Sequence, residues 1–277
     1  MALNSERPSG TFYRWVEKKL NRLKFFDRGN LFCPVCERAV RSFSPLPESW
    51  ESNFSKFGFP FHLEDFETLN HLAYSCPKCG AADRDRLYAL FITRQWKNWR
   101  GPNISLLDFA PSAGLAEFIR RHDFVKYRSA DLYMEGVDDR VDLEEMKIYP
   151  DNSFDVFICS HVLEHVKDDG RALAELFRIL RPDGWGIVMA PIAMPLQRTD
   201  EDPSVSDEAE RWRRFGQNDH VRLYARLDFI ARLQKAGFIV HERGKKQFED
   251  GSFDFNRHGI APTAVLYVVT KQAIQLM

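Results

Sequence analysis

Long apolar runs are missing from this 277-residue chain. None approaches the roughly 20 residues that a membrane-spanning helix needs, so we expect no membrane span. The N-terminal segment MALNSERPSG also lacks the apolar core of a secretion signal. These two absences predict a cytoplasmic location with reduced thiols.

Net charge is almost absent as well, at -1 near neutral pH. The chain therefore lacks the overall positive charge that attracts proteins to nucleic acid or anionic membranes, and we expect no nucleic-acid partner. No internal repeat or long low-complexity run is visible. The length suits one full domain with a small additional module, and nothing in it indicates an oligomeric state.

Cysteine is scarce, with five residues, but four of them form two C-x-x-C pairs: Cys33 with Cys36, and Cys76 with Cys79. Two such pairs can place four thiolates tetrahedrally around one zinc ion. We expect a structural zinc, because four thiolates leave no open coordination position. Two disulfides or a redox dithiol remain the alternatives, of which reduced thiols disfavour the first.

The segment between the two pairs, residues 41–75, is rich in Pro, Phe and Ser. It is too aromatic for a disordered linker, and we expect it to cover a ligand site or to form one of its walls. Residues 11–26 have apolar side chains at helical spacing and predict an amphipathic helix packed on its own domain.

Residues 104–131 predict the first half of a nucleotide-binding α/β sheet. An apolar run at 104–109, which contains Asp108, has the length of a buried strand. A small-residue turn, an amphipathic helix and a second strand ending at Asp131 follow. In such a unit the ligand lies over the carboxyl ends of the strands, and an acid about 20 residues beyond the turn accepts hydrogen bonds from ribose hydroxyls.

Glycine is scarce in the turn itself. A D-x-G-x-G-x-G pattern would place glycine at positions 110, 112 and 114, where the chain has Ala110, Ser112 and Gly114. Small side chains still let the backbone approach a ligand, and we expect Gly114 to supply the conformational freedom. Alone, the stretch also suits an ordinary strand–helix–strand turn that binds nothing.

The remaining elements follow from apolar patterns and turn residues. We predict a helix at 84–99, a short third strand ending at Asp142 and Leu143, a fourth at 154–160, a helix at 168–180 and a fifth strand at 185–190. A helix at 227–236 and strands at 238–243 and 265–270 complete the chain. Arg84 and Arg86 at a helix start either serve an anionic ligand group or pair with neighbouring acids, and the second is favoured.

Taken in order, LLDFAPSAG, ADLY, DNSFDVFICSHVLEHVKDD and LRPDGW resemble the class I S-adenosylmethionine-dependent methyltransferases, type 11-like. The resemblance covers about residues 85–270. It implies an α/β fold: a Rossmann-like seven-stranded methyltransferase sheet with an N-terminal zinc-binding module. With the cysteine pairs, the whole looks like a bacterial subgroup of glycan and natural-product clusters. The expected division is 1–83 for the N-terminal helix and zinc-binding module and 84–277 for the methyltransferase domain, with a lid insertion at about 192–222.

The resemblance also implies S-adenosylmethionine as cofactor and assigns its contacts. The turn at 110–114 would face the methionine moiety, and Asp131 would bind the ribose. Residues 132–133 and 142–143 would contact the adenine. Ser160 would lie beside the sulfonium. The implied cofactor-binding residues are Asp108, Ala110, Gly114, Asp131, Leu132, Tyr133, Asp142, Leu143 and Ser160.

After the fourth strand, His161, Glu164 and His165 spell H-x-x-E-H. The same letters mark inverted zinc proteases, but those carry them on a helix, so we reject that interpretation. Some ubiquinone-pathway O-methyltransferases and small-RNA 2′-O-methyltransferases carry E-x-x-E-H at this place and bind a divalent metal there. In the RNA enzymes a later D-H motif completes the site, and here Asp219 and His220 occupy the corresponding region.

Three roles for this cluster stay open. His161, Glu164, His165 and His220 could hold a catalytic divalent metal that chelates two neighbouring hydroxyls. His161 or His220, the latter beside Asp219, could instead act as a general base. In the third, neither is catalytic and the Glu-His pair braces the next helix.

The polar run at 217–222 offers the convergent donors and acceptors that hydroxyl-rich ligands need. We therefore expect a small-molecule or glycan acceptor, methylated on a hydroxyl of a sugar or polyol-bearing metabolite. An amine, carbon or aromatic hydroxyl of a natural product is the first alternative. A non-catalytic, zinc-containing binding module with a degenerate cofactor fold is the second.

Overall fold

The computed structural model describes residues 30–97, 101–248, 254–274 and 276. The helix predicted at 11–26 lies outside these ranges. No helix within them combines the length and apolarity needed to cross a membrane. The helices are α1 (Ser49–Phe57), α2 (Asp83–Trp96), α3 (Ala113–Arg120), α4 (Asp169–Ile179), α5 (Glu208–Phe215), α6 (Arg226–Lys235) and α7 (Lys245–Phe248).

The strands are β1 (Leu31–Cys33), β2 (Arg38–Val40), β3 (Ile104–Phe109), β4 (Val125–Asp131), β5 (Asp139–Arg140), β6 (Phe154–Ser160), β7 (Leu180–Met189), β8 (Asp200–Glu201), β9 (Arg222–Leu223), β10 (Ile239–Arg243) and β11 (Leu266–Thr270). Seven of them form one sheet in the order β10-β11-β7-β6-β3-β4-β5. The five adjacent strands β7, β6, β3, β4 and β5 are parallel to one another. β11 is antiparallel to both β7 and β10. The predicted seven-stranded sheet is confirmed.

The strand order reverses at β3, which has β4 on one side and β6 on the other. In a sheet of this kind the crevice for a ligand opens at the carboxyl ends of the strands beside the reversal. α3 starts in that crevice, where the Ser112 side chain accepts a hydrogen bond from the Leu115 N–H and so caps the helix. The topology therefore places the ligand crevice where the sequence predicted it.

Two strand predictions were wrong in their bounds. β5 is only Asp139–Arg140, ahead of the predicted end at Asp142 and Leu143. Polar side chains rather than an apolar run hold this edge, since Asp138 accepts hydrogen bonds from both the backbone and the hydroxyl of Ser129. β7 begins at Leu180, because the predicted break at 181–184 is a bulge between the Phe154–Leu180 and Val156–Trp185 pairs.

The cysteine-bearing segment is not a separate body. Val35, Val40 and Phe43 are buried in the same apolar core as the seven-stranded sheet. A second, smaller core joins residues 41–75 to the chain that follows β7: Phe54 and Leu63 pack there with Phe215 and others. The aromatic segment therefore packs on the chain that follows β7.

Arg86, in the first turn of α2, is fully buried and connects three distant parts of the chain. Its guanidinium lies 3.9 Å from the centre of the Phe43 ring. Among the described residues it has no carboxylate partner, so the predicted pairing with neighbouring acids is wrong for this arginine. It donates instead to five backbone carbonyls: Ala73 at 2.5 Å, Tyr74 at 3.0 Å, Ala81 at 2.9 Å, His258 at 2.6 Å and Gly259 at 2.9 Å.

Substituting Arg86 should destabilise the whole fold. Arg86→Met removes every donor and leaves five carbonyls short of a partner, so we expect a loss of at least about 3 kcal/mol in the free energy of unfolding. Arg86→Lys should recover only part of this, because an ammonium has three donors in a different geometry. Urea denaturation measures both, with the exposed Arg171→Met as control. A loss below about 1 kcal/mol for Arg86→Met would contradict the role given to this side chain.

Candidate functional site

The four paired cysteines come together at one point. Their sulfur atoms all lie within 4.8 Å of one another. The Cys33 and Cys79 sulfurs are 3.8 Å apart, and those of Cys36 and Cys76 are 3.9 Å apart. None of the four is in a disulfide in this structure. The fifth cysteine, Cys159, is buried in β6, away from this group.

The turn after β3 adopts the left-handed backbone at Ala110, with φ of 49°. The prediction that Gly114 supplies the conformational freedom of the turn is therefore wrong, because Gly114 lies inside α3 and has no positive φ. The lack of a side chain at position 114 has a different reason. A Cβ at this position would lie 3.2 Å from the Cys79 carbonyl oxygen, so glycine lets the turn pack closely on the cysteine group.

Asp108, near the end of β3, is a buried carboxyl group beneath this turn. Its Oδ2 accepts a hydrogen bond of 2.8 Å from the Tyr127 hydroxyl. Burial raises the pKa of Asp108 to about 7, although the Tyr127 hydrogen bond acts in the opposite direction. The group is thus poised between its neutral and charged forms near neutral pH.

Asp131 lies at the end of β4, on the same edge of the sheet. Its Oδ1 accepts hydrogen bonds from the backbone N–H groups of Tyr133, at 2.7 Å, and Met134, at 2.6 Å. No hydrogen bond to a described residue occupies its other oxygen. Tyr133 is 79% exposed, although a large aromatic ring is usually covered. The carboxylate is thus held rigidly, with one oxygen and a neighbouring ring open to a ligand.

At positions 142 and 143 the two predicted contacts differ in exposure. Asp142 is exposed, and its carboxylate accepts a hydrogen bond from the Glu144 N–H. Leu143 is buried in the main core, and Leu132 is half-buried. Apolar packing therefore explains Leu143 without a ligand.

β6 ends beside β3, and its last residue meets α2. The Ser160 hydroxyl forms a hydrogen bond of 2.8 Å with the hydroxyl of the fully buried Tyr88. His161 follows in the left-handed conformation, with φ of 57°. A non-glycine residue held in this conformation is strained, and such strain is concentrated at functional sites.

Glu164 is the centre of the histidine cluster and is completely buried. Its Oε1 lies 3.2 Å from His161 Nδ1 and 4.0 Å from His165 Nε2. Neither oxygen makes an aligned hydrogen bond to a described residue. Glu164, His165 and His220 each present a ligand atom within 4.8 Å of the others.

The histidines lie around an ionised carboxylate. Burial opposes ionisation of Glu164, but the neighbouring imidazoles of His161, His220 and His165 outweigh it and lower its pKa to about 2. Burial lowers the pKa of His220 to about 4 and also lowers that of His161. An ionised carboxylate and a neutral imidazole, the forms indicated for Glu164 and His220, are the protonation states in which these groups bind metal ions.

The segment 219–222 brings His220 to Glu164. The Val221 N–H donates to the Glu164 carbonyl at 2.9 Å. The buried Arg222 donates to the carbonyls of Leu163, Val166 and Lys167 at 2.5, 2.6 and 2.9 Å. Asp219, which is exposed, lies 3.4 Å from His165 Nδ1 through its Oδ2. All members of the predicted cluster are thus close together, although Asp219 touches only its rim.

A cavity of about 250 Å³ opens on this cluster. Its polar end consists of Arg84, His161, Glu164, His165 and His220. The other walls are mostly apolar and come largely from residues 41–75 and the chain after β7: Leu46, Trp50, Phe54, Leu63, Phe66, Leu69, Ala190, Pro191, Ile192 and Phe215. None of the nine residues predicted to bind the cofactor lines it, so this cavity is distinct from the edge at Ala110 and Asp131.

A family model described as a methyltransferase domain matches residues 81–243, more than half of the chain. The chain belongs to this methyltransferase family. The match includes the turn at 110–114, Asp131 and the histidine cluster, and it begins just after Cys79. The family and fold predicted from the sequence are therefore confirmed for the domain, whereas the cysteine group precedes the matched range.

Individual relatives have low sequence identity to this chain. The malonyl-[acyl-carrier protein] O-methyltransferase of Serratia marcescens is 27% identical over 140 residues, which cover 50% of this chain and 46% of that protein. The match thus spans about half the length of the curated relative.

Two solved structures share the fold at low identity. The YcgJ protein of Bacillus subtilis is 16% identical, with 68% of this chain and all of that one covered and a TM-score of 0.42. Phosphoethanolamine N-methyltransferase 2 of Haemonchus contortus is 14% identical, with 70% and 53% covered and a TM-score of 0.45. Since both scores are low, we base no functional inference on these structures.

Several residues of the methyltransferase site carry no sequence signal of their own. Tyr88 precedes its partner Ser160 by 72 residues. Arg222 was noted only as part of a polar run, and Tyr74 only as part of the aromatic segment. Their partners lie far along the chain or are hydroxyls and backbone carbonyls, and no residue pattern specifies such contacts.

Asp108→Asn should change how stability depends on pH. The folded-state pKa of about 7 lies above the unfolded value near 4, so the folded protein retains a proton that the unfolded chain releases between these pH values. The contribution of this proton to the free energy of unfolding is complete below pH 4. It falls by at most about 1.4 kcal/mol per pH unit up to pH 7. Asparagine keeps the acceptor for Tyr127 but carries no charge. The variant should therefore be more stable than the wild type at pH 8 and should have lost most of that advantage by pH 5.

Urea denaturation across this pH range measures the difference, with the exposed Asp123→Asn as control. Parallel curves for the wild type and Asp108→Asn would show that Asp108 has an ordinary pKa.

Proposed function

We propose that this chain is an S-adenosylmethionine-dependent methyltransferase that methylates a hydroxyl of a sugar or related polyol-bearing metabolite. Membership of the methyltransferase family supports the first half of the proposal. One observation carries the second: the Glu164, His165 and His220 group faces an aromatic-walled cavity at the carboxyl end of β6. A mainly apolar pocket with a few convergent polar groups is the usual form of a small-molecule site.

The residues at the carboxyl edge suit the proposed cofactor. The open oxygen of Asp131 is placed to accept hydrogen bonds from ribose hydroxyls, and the exposed Tyr133 ring beside it can pack on adenine. The crevice at the carboxyl ends of β3 and β6 would be bordered by the turn at Ala110 on one side and by the Ser160 hydroxyl on the other. S-adenosylmethionine supplies an activated methyl group when bound, and these residues bind and orient it.

Methyl transfer needs an acceptor atom that can lose its proton and is held in line with the methyl group. The ionised Glu164 and the neutral His220, with His165 beside them, fit a divalent metal ion. Such an ion would lower the pKa of a hydroxyl and fix its orientation. The unpartnered oxygens of Glu164 favour this role, because an unpaired buried carboxylate is costly without a cation.

A second route uses His161 as general base without a metal. Its neutral imidazole can accept the hydroxyl proton, and Glu164, 3.2 Å away, would stabilise the resulting imidazolium. An amine, carbon or aromatic-hydroxyl acceptor remains the alternative substrate class. Amine and carbon acceptors lack the two neighbouring hydroxyls that a metal would chelate, so metal dependence separates them from hydroxyl acceptors, whether sugar or aromatic.

The four cysteines would hold a structural zinc ion. A tetrahedral site with Zn–S bonds near 2.3 Å has sulfur–sulfur distances of about 3.8 Å. The Cys33–Cys79 and Cys36–Cys76 distances of 3.8 and 3.9 Å match this value. Because Gly114 packs on the Cys79 carbonyl, the ion would brace the turn beneath the cofactor.

Cofactor binding provides the first test. Isothermal titration with S-adenosylhomocysteine should give binding to the wild type and at least about tenfold weaker binding to Asp131→Ala, because two hydrogen bonds to ribose are lost. Asp123→Ala, an exposed acid away from the crevice, should bind like the wild type. No binding by the wild type would leave only the non-catalytic module, and equal binding by Asp131→Ala would remove this acid from the site.

Metal dependence provides the second test. With S-adenosylmethionine and a panel of nucleotide sugars, turnover should be lost on mild chelation and restored by Mg²⁺, Mn²⁺ or Zn²⁺. Glu164→Gln should lower it by at least about a hundredfold, since a metal contributes several kcal/mol to such reactions. Metal analysis before and after chelation checks that about one zinc per chain stays with the cysteines. Full turnover in the chelator would exclude the catalytic metal and favour His161.

A further inference from the structure

Arg84, the second residue of α2, forms no salt bridge with a carboxylate of the described residues, although acids flank it. Its Nη1 donates to the Tyr74 hydroxyl at 3.1 Å, and this is its one side-chain hydrogen bond among the described residues. Asp83 instead accepts from the backbone N–H groups of Asn70 and of Arg84 itself. Asp85 accepts from the Ala82 N–H and closes the capping box of α2. The two acids thus act on Arg84 through their charge but leave its other side-chain donors unused among the described residues.

Arg84 lines the cavity described above. A guanidinium carries five N–H donors, and one that is withdrawn from water is costly unless they are satisfied. Burial opposes its charge, but Tyr74, Asp85, Tyr88 and Asp83 outweigh burial and raise its pKa further. Arg84 is thus a permanent cation with spare donors. Arg86, two residues away, uses its donors on the protein's own carbonyls.

We propose that Arg84, held by Tyr74, forms a subsite for a carboxylate or phosphate group of the methyl acceptor. Planar guanidinium groups bind both anions through paired hydrogen bonds. The proposal rests on the proposed function and narrows its substrate class to acidic sugars, sugar phosphates and similar anionic polyols.

The cavity walls identify the acceptor rather than the cofactor as the source of the anion. Apart from the turn that carries His161, Glu164 and His165, the residues that line the cavity with Arg84 come from 41–75 and from the chain after β7. None of the predicted cofactor contacts lines it. Arg84 also lines the same cavity as His161 and Glu164, so its charge faces the space that the reacting end of the acceptor would occupy. The anion of the acceptor would therefore lie near the hydroxyl to be methylated.

Charge balance supports the same conclusion. Glu164 is the one ionised acid and Arg84 the one permanent cation among the lining residues that the structure describes. With a divalent ion on Glu164, the cavity would carry a net charge of about +2. An anionic acceptor that loses a hydroxyl proton brings the matching negative charge.

The experiment uses the full-length protein with small probes in place of the unknown acceptor. The Nε–Hε NMR signal of Arg84, assigned from its absence in Arg84→Lys, is followed during titration with inorganic phosphate and acetate, and with acetamide as a neutral control. We expect a saturable shift with both anions and none with acetamide. Tyr74→Phe should weaken anion binding about two- to tenfold, because the hydroxyl that orients the guanidinium is lost. No shift with either anion, or an equal shift with acetamide, would overturn the subsite.

A second measurement distinguishes the cofactor from the acceptor. S-adenosylhomocysteine and methylthioadenosine, which lacks the amino-acid carboxylate, are titrated into the wild type, Arg84→Gln and the exposed control Arg171→Gln. We expect unchanged affinity for both compounds in both variants. Selective weakening of S-adenosylhomocysteine in Arg84→Gln would assign the arginine to the cofactor and overturn the proposal. Failure of the wild type to bind S-adenosylhomocysteine would instead overturn the proposed function, a result independent of the Arg84 signal.

Discussion

A buried guanidinium that binds backbone carbonyls organises this molecule. Arg86 donates to residues 73 and 74, to the cysteine loop at 81 and to residues 258 and 259. Withdrawing this charge from water is costly, and the five carbonyls offset that cost only if all three segments are in place. The fold of the cysteine segment, the start of α2 and the chain before β11 are therefore interdependent. The segment with His258, whose purpose the sequence did not reveal, supplies two of these acceptors.

Arg222 does the same for the histidine cluster. Its donors bind the carbonyls at 163, 166 and 167, and the backbone of Val221 binds that of Glu164. The turn with Glu164 and the strand that follows His220 thus form one unit. A buried carboxylate without aligned hydrogen bonds can persist there because the surrounding backbone fixes its position. Such preorganisation means that a bound cation or substrate would not have to bear the cost of assembling the group.

The sequence was most informative where the determinants are local. Apolar runs bounded by turn residues located β3 and β6, and two C-x-x-C pairs predicted a cysteine group that the fold brings together. The resemblance to methyltransferases placed Glu164, His165 and His220 near one another. The bulge in β7 and the short β5 were missed, because the first depends on pairing with β6 and the second on polar side chains. Arg86 and Arg222 were missed because backbone carbonyls far along the chain bind them.

The turn after β3 has few glycines, and Ala110 adopts the left-handed conformation that a glycine would take more easily. The left-handed residue of the turn stands at position 110, where the glycine-rich pattern would have its first glycine, and an alanine there costs about 1 kcal/mol. His161 is strained in the same way at the end of the neighbouring strand β6.

In both cases the backbone N–H donates to the next strand outward: Ala110 to the Ala130 carbonyl at 3.0 Å, and His161 to that of Met189 at 2.9 Å. The sheet therefore holds both sides of the crevice in strained conformations that loops alone would not keep. Rigid strands, rather than glycine flexibility, shape the place where cofactor and acceptor would meet.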